Sequence, residues 1–475
     1  MAPPRPPPDA PDPGRVPDQD PAASADAADD DGLAPRPRGI GGFFSAAREG
    51  YDELVNAIVR PPRAQYSLAE LGPAGFEYGG CDFVREDFQI TNPRELRLEC
   101  SFWRRREMPA GGVPCVVYMH GNASCRAEAL QVLAPVFAVG ASVASFDFAG
   151  CGLSQGDYIS LGMHEKDDLA AVLEHLRATG MVTAIALWGR SMGAASAVLH
   201  ASRDPSLAGL VLDSPFASLE QVALELVSSA PETVPGAPNV PPFLVKTALR
   251  LVASSVKSRA NFDLYKLRPV DAARTCFVPA LFGCGNDDKL VRPHHSQMIY
   301  DGYAGDKNVV RFEGDHNDMR PGFFLDSASI FLKQVLLLPE DGYGIDAPLD
   351  RDSRPLSILN IFFSGYRRGG GRSAGGGGGV ALAQQEEAML MQAIMASLEA
   401  NGGTSPPAAV IEAARATEGG ADGGDGGPDR APVAAAAGLD EEDADDQLLR
   451  EAIRQSLETA AATGPPTAAP AAHTS

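Results

Sequence analysis

Residues 184–196 read Ala-Ile-Ala-Leu-Trp-Gly-Arg-Ser-Met-Gly-Ala-Ala-Ser. The apolar run before Gly189 predicts a buried strand, and the small residues from Gly193 onward predict a closely packed helix. The G-x-S-x-G turn between them projects the hydroxyl of Ser191 from a strained backbone, and side chains at the two glycines would collide with the strand and the helix. Ser191 is therefore the predicted nucleophile.

The stretches on either side of this turn predict a mainly parallel sheet. Short apolar runs alternate with helical patterns, which is typical of βαβ units whose strands are buried on both faces. Two alternating stretches, 83–91 and 96–103, come first and predict an antiparallel start to the sheet. The predicted parallel strands are 113–119, 142–148, 184–188, 207–212, 279–282 and 308–312, and the intervening helices are 127–139, 167–177 and 192–203.

Two further segments have helical spacing outside this alternation. Residues 43–59 carry an apolar stripe and a polar face that is not basic, so we predict a helix that docks on the domain rather than on a membrane. Residues 214–278 separate two strands and contain helical patterns at 219–229 and 243–255. An insertion at the carboxyl edge of parallel strands lies where such sheets bind ligands, and we predict that it forms a lid.

A serine nucleophile needs donors for the oxyanion that forms during acyl transfer. The sequence His-Gly-Asn at 120–122 follows the strand 113–119, where one backbone N–H is expected. The residue after the nucleophile supplies the second. The predicted donors are the N–H groups of Asn122 and Met192.

The general base and its carboxylate partner are expected on later strand-ending loops. His316 follows the strand 308–312 and is the predicted base. Asp288 or Asp287, after the strand 279–282, could orient it, and Asp213 is a third possibility. The other histidines fall in helical stretches, so we predict capping or surface roles for His164, His175, His200, His294 and His295.

Seven stretches of the chain carry a resemblance to a known family. They are Arg-Pro-Pro-Arg-Ala at 60–64, His-Gly-Asn at 120–122, Asp-Phe-Ala-Gly-Cys-Gly-Leu-Ser at 147–154, His-Glu-Lys-Asp-Asp-Leu at 164–169, Trp-Gly-Arg-Ser-Met-Gly at 188–193, Pro-His-His-Ser at 293–296 and Gly-Asp-His-Asn at 314–317. Through them, residues 50–337 resemble the α/β-hydrolase family often called serine aminopeptidase-like, especially a plant and green-algal subgroup.

That resemblance implies an α/β-hydrolase fold, with a mainly parallel central sheet and a helical lid insertion. It also implies a catalytic triad, and it places the acid on Asp288. A more distant similarity connects the chain with intracellular protein depalmitoylases, whose N-terminal cysteine cluster is absent here.

Composition predicts one folded domain of the 475 residues, at 40–345. The flanking segments consist largely of Pro, Gly, Ala and Asp, which lack the apolar side chains needed to offset the entropy of ordering. We therefore predict disordered tails that carry two short helices. The predicted segments are a disordered 1–39, a linker 346–381, a helix within 382–400, a disordered linker 401–438, a helix within 439–460 and a disordered tail 461–475.

Charge and cysteine content limit the partners. The net charge is −22 and there is no basic stripe, so we expect no nucleic-acid binding. No apolar run approaches the roughly 20 residues of a transmembrane span. The seven cysteines include no CxxC pair, and their odd number argues against a complete disulfide framework. We expect reduced, mostly buried thiols in a cytoplasmic protein, with no metal site and no cofactor.

Two segments of the tail, 382–400 and 439–460, repeat one pattern. In each, acidic residues precede a Leu, Ala, Ile and Ser that share one helical stripe. Both resemble ubiquitin-interacting motifs, although Ala400 and Thr459 replace the usual acid, with Glu399 and Glu458 one position earlier. The resemblance implies ubiquitin binding through Leu390, Ala393, Ile394, Ser397, Leu449, Ala452, Ile453 and Ser456.

Together these features predict a serine hydrolase that cleaves an ester, thioester or amide acyl bond and carries a ubiquitin-binding tail. One alternative is a ubiquitin-binding adaptor in which the hydrolase fold has little activity. A second alternative is a serine aminopeptidase.

Overall fold

The computed structural model of the protein describes residues 51–233 and 242–338. Nine strands of this part form one sheet. The strands are β1 (Gly75–Tyr78), β2 (Cys81–Thr91), β3 (Arg97–Arg105), β4 (Val113–Met119), β5 (Ser142–Phe146), β6 (Val182–Arg190), β7 (Gly209–Asp213), β8 (Ala280–Gly285) and β9 (Lys307–Phe312). Their order in the sheet is β1-β2-β3-β5-β4-β6-β7-β8-β9.

The pairing of the strands follows the predicted change of pattern. Strands β1, β2, β3 and β5 pair antiparallel in that order. From β5 across β4, β6, β7 and β8 to β9, every pair is parallel. Every residue of β4, β5, β7 and β8 is buried, as expected for parallel strands covered on both faces. The predicted mainly parallel sheet with an antiparallel start is confirmed.

Helices cover both faces of the sheet. On one face, four helices contribute Leu169, Ala194, Val270 and Ile299 to a core cluster. On the other face, two helices contribute Leu133 and Phe324 among others. The helices of the described residues are α1 (51–59), α2 (Leu133–Ala138), α3 (Glu165–Ala178), α4 (Met192–Ala201), α5 (Leu219–Thr233), α6 (Pro242–Ala260), α7 (Pro269–Ala273), α8 (Pro293–Gly302) and α9 (Gly322–Val335).

The single helix predicted over 127–139 is wrong. The chain forms a 3-10 helix at Arg126–Gln131 and then the short helix α2. Pro135 explains the division, because inside a longer helix it could not donate a hydrogen bond and its ring would clash with the preceding turn. With α2 beginning at Leu133, Pro135 lies in the first turn, where its missing N–H has no intrahelical acceptor to lose.

The insertion between β7 and β8 packs against α1. Helices α5 and α6 form a third apolar cluster with α1, and Tyr51 Oη donates to the Leu251 carbonyl at 2.8 Å. Arg259 pairs with Asp52 and donates to Asn56 Oδ1 at 3.0 Å. The predicted docking of 43–59 on the domain is confirmed for 51–59, and the two helices predicted in the insertion are present.

Several predictions lie outside the described residues. They concern the two tails, the linkers, residues 43–50 and both segments that resemble ubiquitin-interacting motifs. Within the described part, all seven cysteines are buried and none forms a disulfide, which confirms the predicted burial of the thiols. Among the described helices, none is both long enough and apolar enough to cross a bilayer.

Candidate active site

Ser191 lies at the turn between β6 and α4. Its φ of 51° and ψ of −112° lie in a region that non-glycine residues rarely adopt. Both flanking glycines are required, because a Cβ on Gly189 would lie 2.3 Å from the Gly193 carbonyl oxygen, and one on Gly193 would lie 2.2 Å from the Met119 carbonyl oxygen. The Ser191 N–H donates to the Asp213 carbonyl at 2.8 Å, which fastens the turn to β7.

The structure brings Ser191, His316 and Asp288 into one hydrogen-bonded chain. The Oγ of Ser191 lies 2.9 Å from Nε2 of His316. The Nδ1 of His316 lies 2.7 Å from Oδ2 of Asp288. Each residue lies just after the carboxyl end of a different parallel strand, so β6, β8 and β9 carry the three groups to the same edge of the sheet.

The hydrogen-bond partners of His316 determine which of its two ring nitrogens carries the proton. An ionised carboxylate only accepts hydrogen bonds, so Nδ1 of His316 carries the proton that faces Asp288. Nε2 is then the acceptor for the Ser191 hydroxyl. His316 and Asp288 are both buried, and the second oxygen of Asp288 accepts the Val291 N–H at 2.8 Å. The imidazole therefore has one orientation and one tautomer, the one that a general base requires.

The two other candidate carboxylates have different partners. Asp213 is held by Arg320, whose Nε lies 2.7 and 3.0 Å from its two oxygens. Asp287 accepts the N–H of Gly314 at 3.1 Å. Of the three carboxylates left open by position in the chain, Asp288 is the one in contact with His316.

The loop after β4 lies directly beside the serine. A Cβ added to Gly121 would lie 3.9 Å from the Ser191 Cβ. The buried ring of His120 fixes this loop, because its Nε2 accepts the Phe148 N–H at 3.2 Å and its Nδ1 donates to the Gly121 carbonyl at 2.6 Å. Asn122 follows in the same loop, while Met192 begins α4. Both predicted oxyanion donors therefore lie on segments that flank Ser191.

Two guanidinium groups donate to the backbone carbonyl of His316, the predicted base. The carbonyl oxygen of His316 accepts from Nη2 of Arg190 at 2.8 Å and from Nη2 of Arg320 at 2.9 Å. Arg190 also donates to Oε1 of Glu128 at 3.0 Å. Sequence reasoning missed these charged groups. Arg190 is next to Ser191 in the sequence and Arg320 is four residues after His316, so their positions could have indicated a role in the site. Nothing in the local sequence pattern indicates Glu128.

Burial disfavours the reactive thiolate form of two cysteines, Cys115 and Cys125. Burial raises the pKa of the Cys115 thiol to about 12, even though hydrogen bonds oppose the shift. Burial, together with the nearby Asp147 charge, raises the pKa of Cys125 to about 12 as well. A nucleophilic cysteine reacts as the thiolate, which these two sites disfavour at neutral pH.

The predicted capping or surface role is wrong for His295. Its side chain is completely buried, and its Nδ1 accepts the Ala217 N–H at 3.2 Å. Its Nε2 faces Oε2 of Glu225 at 3.3 Å, while Nε2 of the neighbouring His294 lies 2.9 Å from Oε1 of the same carboxylate. Glu225 is on α5 and both histidines are on α8, so this cluster fastens the insertion to the domain.

Among the described residues, the side chains of Glu225, His294 and His295 lie close enough together to ligate a metal ion. The tautomer of His295 argues against that use. Its Nδ1 accepts a backbone N–H, so in the neutral ring the proton resides on Nε2, the atom that would have to bind the ion. A ligating histidine normally donates from its other nitrogen instead. The geometry favours direct contact of the two imidazoles with the Glu225 carboxylate over a metal site.

Comparisons with known proteins agree with the fold. A family model described as "Serine aminopeptidase, S33" matches residues 113–266, a range that includes Ser191 and ends before Asp288 and His316. An uncharacterized protein of Mycobacterium tuberculosis is 35% identical over 242 residues, an alignment that covers 50% of this chain and 75% of that protein. The alpha/beta hydrolase domain-containing protein WAV2 of Arabidopsis thaliana is 24% identical over 259 residues, covering 54% of this chain and 78% of that one.

Solved structures with a similar fold include two esterases. An esterase of Pyrococcus furiosus has 22% identity and a TM-score of 0.43, and the match covers 58% of this chain and all of that one. Acetyl xylan esterase 1 from a Thermoanaerobacterium species has 18% identity and a TM-score of 0.43, with 62% and 93% covered. The chain belongs to the α/β-hydrolase superfamily, as its parallel sheet, its strained serine turn and its sequence relatives indicate.

Proposed function

We propose that the protein is a serine hydrolase that cleaves acyl bonds with Ser191 as nucleophile, His316 as general base and Asp288 as the group that orients the base. The observation that carries the proposal is the hydrogen-bonded chain from Ser191 Oγ through His316 to Asp288, with distances of 2.9 and 2.7 Å. Burial of His316 and Asp288 supports it, because shielding from water strengthens the interaction between an imidazolium and a carboxylate.

The reaction proceeds in two halves. The Oγ of Ser191 bonds to the substrate carbonyl carbon while Nε2 of His316 takes the hydroxyl proton, and the N–H groups of Asn122 and Met192 stabilise the oxyanion. The bond to the leaving group breaks, and the leaving group receives that proton, which leaves an acyl-serine. Water then attacks the acyl carbon, His316 accepts its proton and returns it to Ser191, and the free acid departs.

Esters and thioesters are the proposed substrates. Their leaving groups depart more easily than an amine, so they make a smaller demand on His316 as the general acid. The aminopeptidase alternative is supported mainly by the description of the matching family. We also propose a cytoplasmic location, supported by seven buried cysteines that form no disulfide.

A substrate panel with the full chain tests this proposal. Matched acyl groups would be supplied as p-nitrophenyl esters, thioesters and aminoacyl amides. We expect turnover of esters and thioesters, and Ser191→Ala should lower kcat by about 10⁴-fold or more, because the members of a triad act as a unit. Turnover that is unchanged in Ser191→Ala would refute the assignment, while exclusive cleavage of aminoacyl amides would favour the peptidase.

We propose a second function for the tail, which lies outside the described residues: binding of ubiquitin or ubiquitinated proteins. The repeated stripe of Leu, Ala, Ile and Ser supports it, since small residues in the middle of a helix face let a partner approach closely. Each short segment is marginal as an isolated helix and gains stability against a partner. Two such sites joined by a Gly-rich linker should bind linked ubiquitins about 10²-fold more tightly than single ones.

Calorimetric titration of the full chain with mono- and di-ubiquitin tests the tail. Ala393→Gln or Ala452→Gln would place a bulky side chain in the stripe, and each should weaken binding of di-ubiquitin sharply. Ala388→Gln is the matched control, because helical spacing would place residue 388 on the side opposite the stripe. No binding heat with either ubiquitin species would exclude this function and the adaptor alternative with it.

A further inference from the structure

One buried ion pair connects three segments of the site. Glu128, in the 3-10 helix after the His-Gly-Asn loop, accepts from Arg190 Nη1 at 3.0 Å through Oε1. Its Oε2 accepts the Gly121 N–H at 3.1 Å. Arg190 continues the connection, because its Nη2 donates to the His316 carbonyl at 2.8 Å.

Each contact is made next to a residue with a proposed role. Gly121 directly precedes Asn122, the proposed oxyanion donor, and Arg190 directly precedes Ser191. Glu128 and Arg190 side chains are each only 11% exposed, so water competes little for these bonds. The ion pair therefore links the oxyanion loop, the serine turn and the base loop through two side chains.

Both partners are held in their charged forms. Burial opposes ionisation of Glu128, but the Arg190 charge and the hydrogen bonds it accepts hold its pKa below the ordinary value. Burial likewise opposes the charge on Arg190, and the carboxylates of Glu128 and Asp213 nevertheless raise its pKa above the ordinary value. A charge-assisted pair of this kind has fixed geometry as well as strength.

We propose that Glu128 and Arg190 are positioning residues that hold the oxyanion loop at a fixed distance from Ser191 and His316. The proposal rests on the proposed hydrolase function. Neither side chain touches the reacting atoms. Their effect is geometric, and a displacement of about 1 Å in such a site can cost about 10²-fold in rate.

The structure also indicates which half of the site depends most on this pair. The His316 carbonyl has a second donor in Arg320, which is anchored on Asp213. The base loop therefore stays attached when Arg190 or Glu128 is altered. Gly121, by contrast, depends on Glu128 for the contact of its N–H. Loss of the ion pair should weaken stabilisation of the oxyanion more than it disturbs the base.

Glu128→Gln separates these effects. A glutamine has one acceptor oxygen and one donor group, so its NH₂ must face either the Gly121 N–H or Arg190, and one contact is lost. Tyr118→Phe is the matched control, because Tyr118 Oη also donates to Glu128, at 3.1 Å, and its removal leaves the ion pair intact. Arg190→Lys is a second variant that keeps the charge but replaces the two-armed fork with one ammonium.

The readouts are kcat and KM per titrated active site, and the affinity for a trifluoromethyl ketone, which becomes an oxyanion when it adds to Ser191. We expect Glu128→Gln to lower kcat and ketone affinity in parallel by about 10²-fold, with KM little changed. Arg190→Lys should lower both in the same direction, by about 10-fold. Tyr118→Phe should leave both unchanged.

The possible outcomes separate this inference from the hydrolase proposal. If Glu128→Gln and Arg190→Lys only reduce the fraction of active sites, with kcat per site and ketone affinity equal to wild type, the pair is structural and the inference is wrong. The same holds if kcat falls while ketone affinity does not. If the wild-type chain neither turns over esters nor binds the ketone, the hydrolase proposal itself fails.

Discussion

At the scale of single residues, three aspartates near the site differ in what their oxygens contact. Asp288 faces His316, Asp287 faces the Gly314 N–H, and Asp213 is occupied by Arg320. A carboxylate orients an imidazole only when it accepts from Nδ1, because that bond fixes the tautomer. Direct contact, rather than position in the chain, therefore distinguishes Asp288.

Asparagine substitutions test this distinction. Asp288→Asn should lower kcat by about 10⁴-fold, because an amide can hold the imidazole in the wrong tautomer. Asp287→Asn is the control and should have little effect, since its contact is to the backbone of the neighbouring loop. Steady-state ester hydrolysis by the two variants measures the difference, and equal losses of activity would contradict the assignment of Asp288.

The glycines of the serine turn make a second prediction at this scale. Gly193→Ala places a Cβ 2.2 Å from the Met119 carbonyl oxygen, and rigid backbone cannot move away from it as a flexible side chain could. We expect a large loss of thermal stability, or no folded protein. Gly111→Ala is the control, because a Cβ there has nothing within 4 Å. Thermal unfolding followed by circular dichroism compares them, and equal midpoints would contradict the close packing described.

At the scale of elements, the insertion is attached to the domain by apolar packing and by one polar cluster. Glu225 on α5 contacts both His294 and His295 on α8. Burial lowers the pKa of His295, although the Glu225 charge opposes the shift. For Glu225, burial would raise the pKa, but hydrogen bonding from Gln221 and the charges of the two histidines hold it below the ordinary value.

The direction of the Glu225 shift predicts how the cluster responds to acid. A carboxylate with a lower pKa in the folded protein stabilises the fold above its ordinary pKa, and this stabilisation is lost as pH falls through the lowered value. Glu225→Gln should lower the free energy of unfolding by about 1 kcal/mol at pH 7, and the difference from wild type should shrink below about pH 4.

Urea unfolding at pH 7 and at lower pH measures both parts of this prediction. Glu220→Gln, in the first turn of the same helix, is the control for the loss of one acidic charge. Because Glu220 is not part of the cluster with His294 and His295, its effect at pH 7 should be smaller than that of Glu225→Gln. A Glu225→Gln variant as stable as wild type at pH 7 would show that apolar packing alone holds α5.

Local pattern predicted the elements well where the deciding residues are neighbours in the chain. Residues 184–196 are the strongest case, because the strand, the turn and the first helical turn are all encoded in that one stretch. In residues 127–139, Pro135 indicated a break, whereas the apolar spacing indicated one continuous helix. The prediction followed the spacing and was wrong. The 3-10 helix that results is what presents Glu128 to Arg190.

Contacts between distant residues were not predictable in the same way. Glu128 and Arg190 are far apart in the chain, as are Glu225 and His295, and each pair meets only because particular strands and helices become neighbours. Sequence spacing also left Asp213, Asp287 and Asp288 as alternatives. Only the resemblance to a known family indicated Asp288, and Asp288 is the carboxylate that contacts His316.

At the scale of the whole molecule, the site and the tail occupy separate parts of the chain. The strands and loops that carry Ser191, His316 and Asp288 lie within the described residues 51–233 and 242–338. The repeated segments at 382–400 and 439–460 lie beyond them. The two proposed functions should therefore be separable by deletion.

Removal of residues 381–475 tests this independence. We expect kcat and KM for a small ester to stay within about twofold of the full chain, because a domain with its own core folds and functions without a distant tail. Binding of di-ubiquitin should be lost in the same variant. A large fall in ester hydrolysis after the deletion would show that the tail contributes to the site.

The central claim is that Ser191 is an activated nucleophile. Its most direct test is treatment of the full chain with a fluorophosphonate, followed by mass spectrometry of the intact protein and its peptides. The predicted result is one adduct, located on Ser191, formed by the folded protein and absent from both the heat-unfolded chain and Ser191→Ala. No adduct on the folded wild-type chain, or an adduct that persists in Ser191→Ala, would contradict the claim.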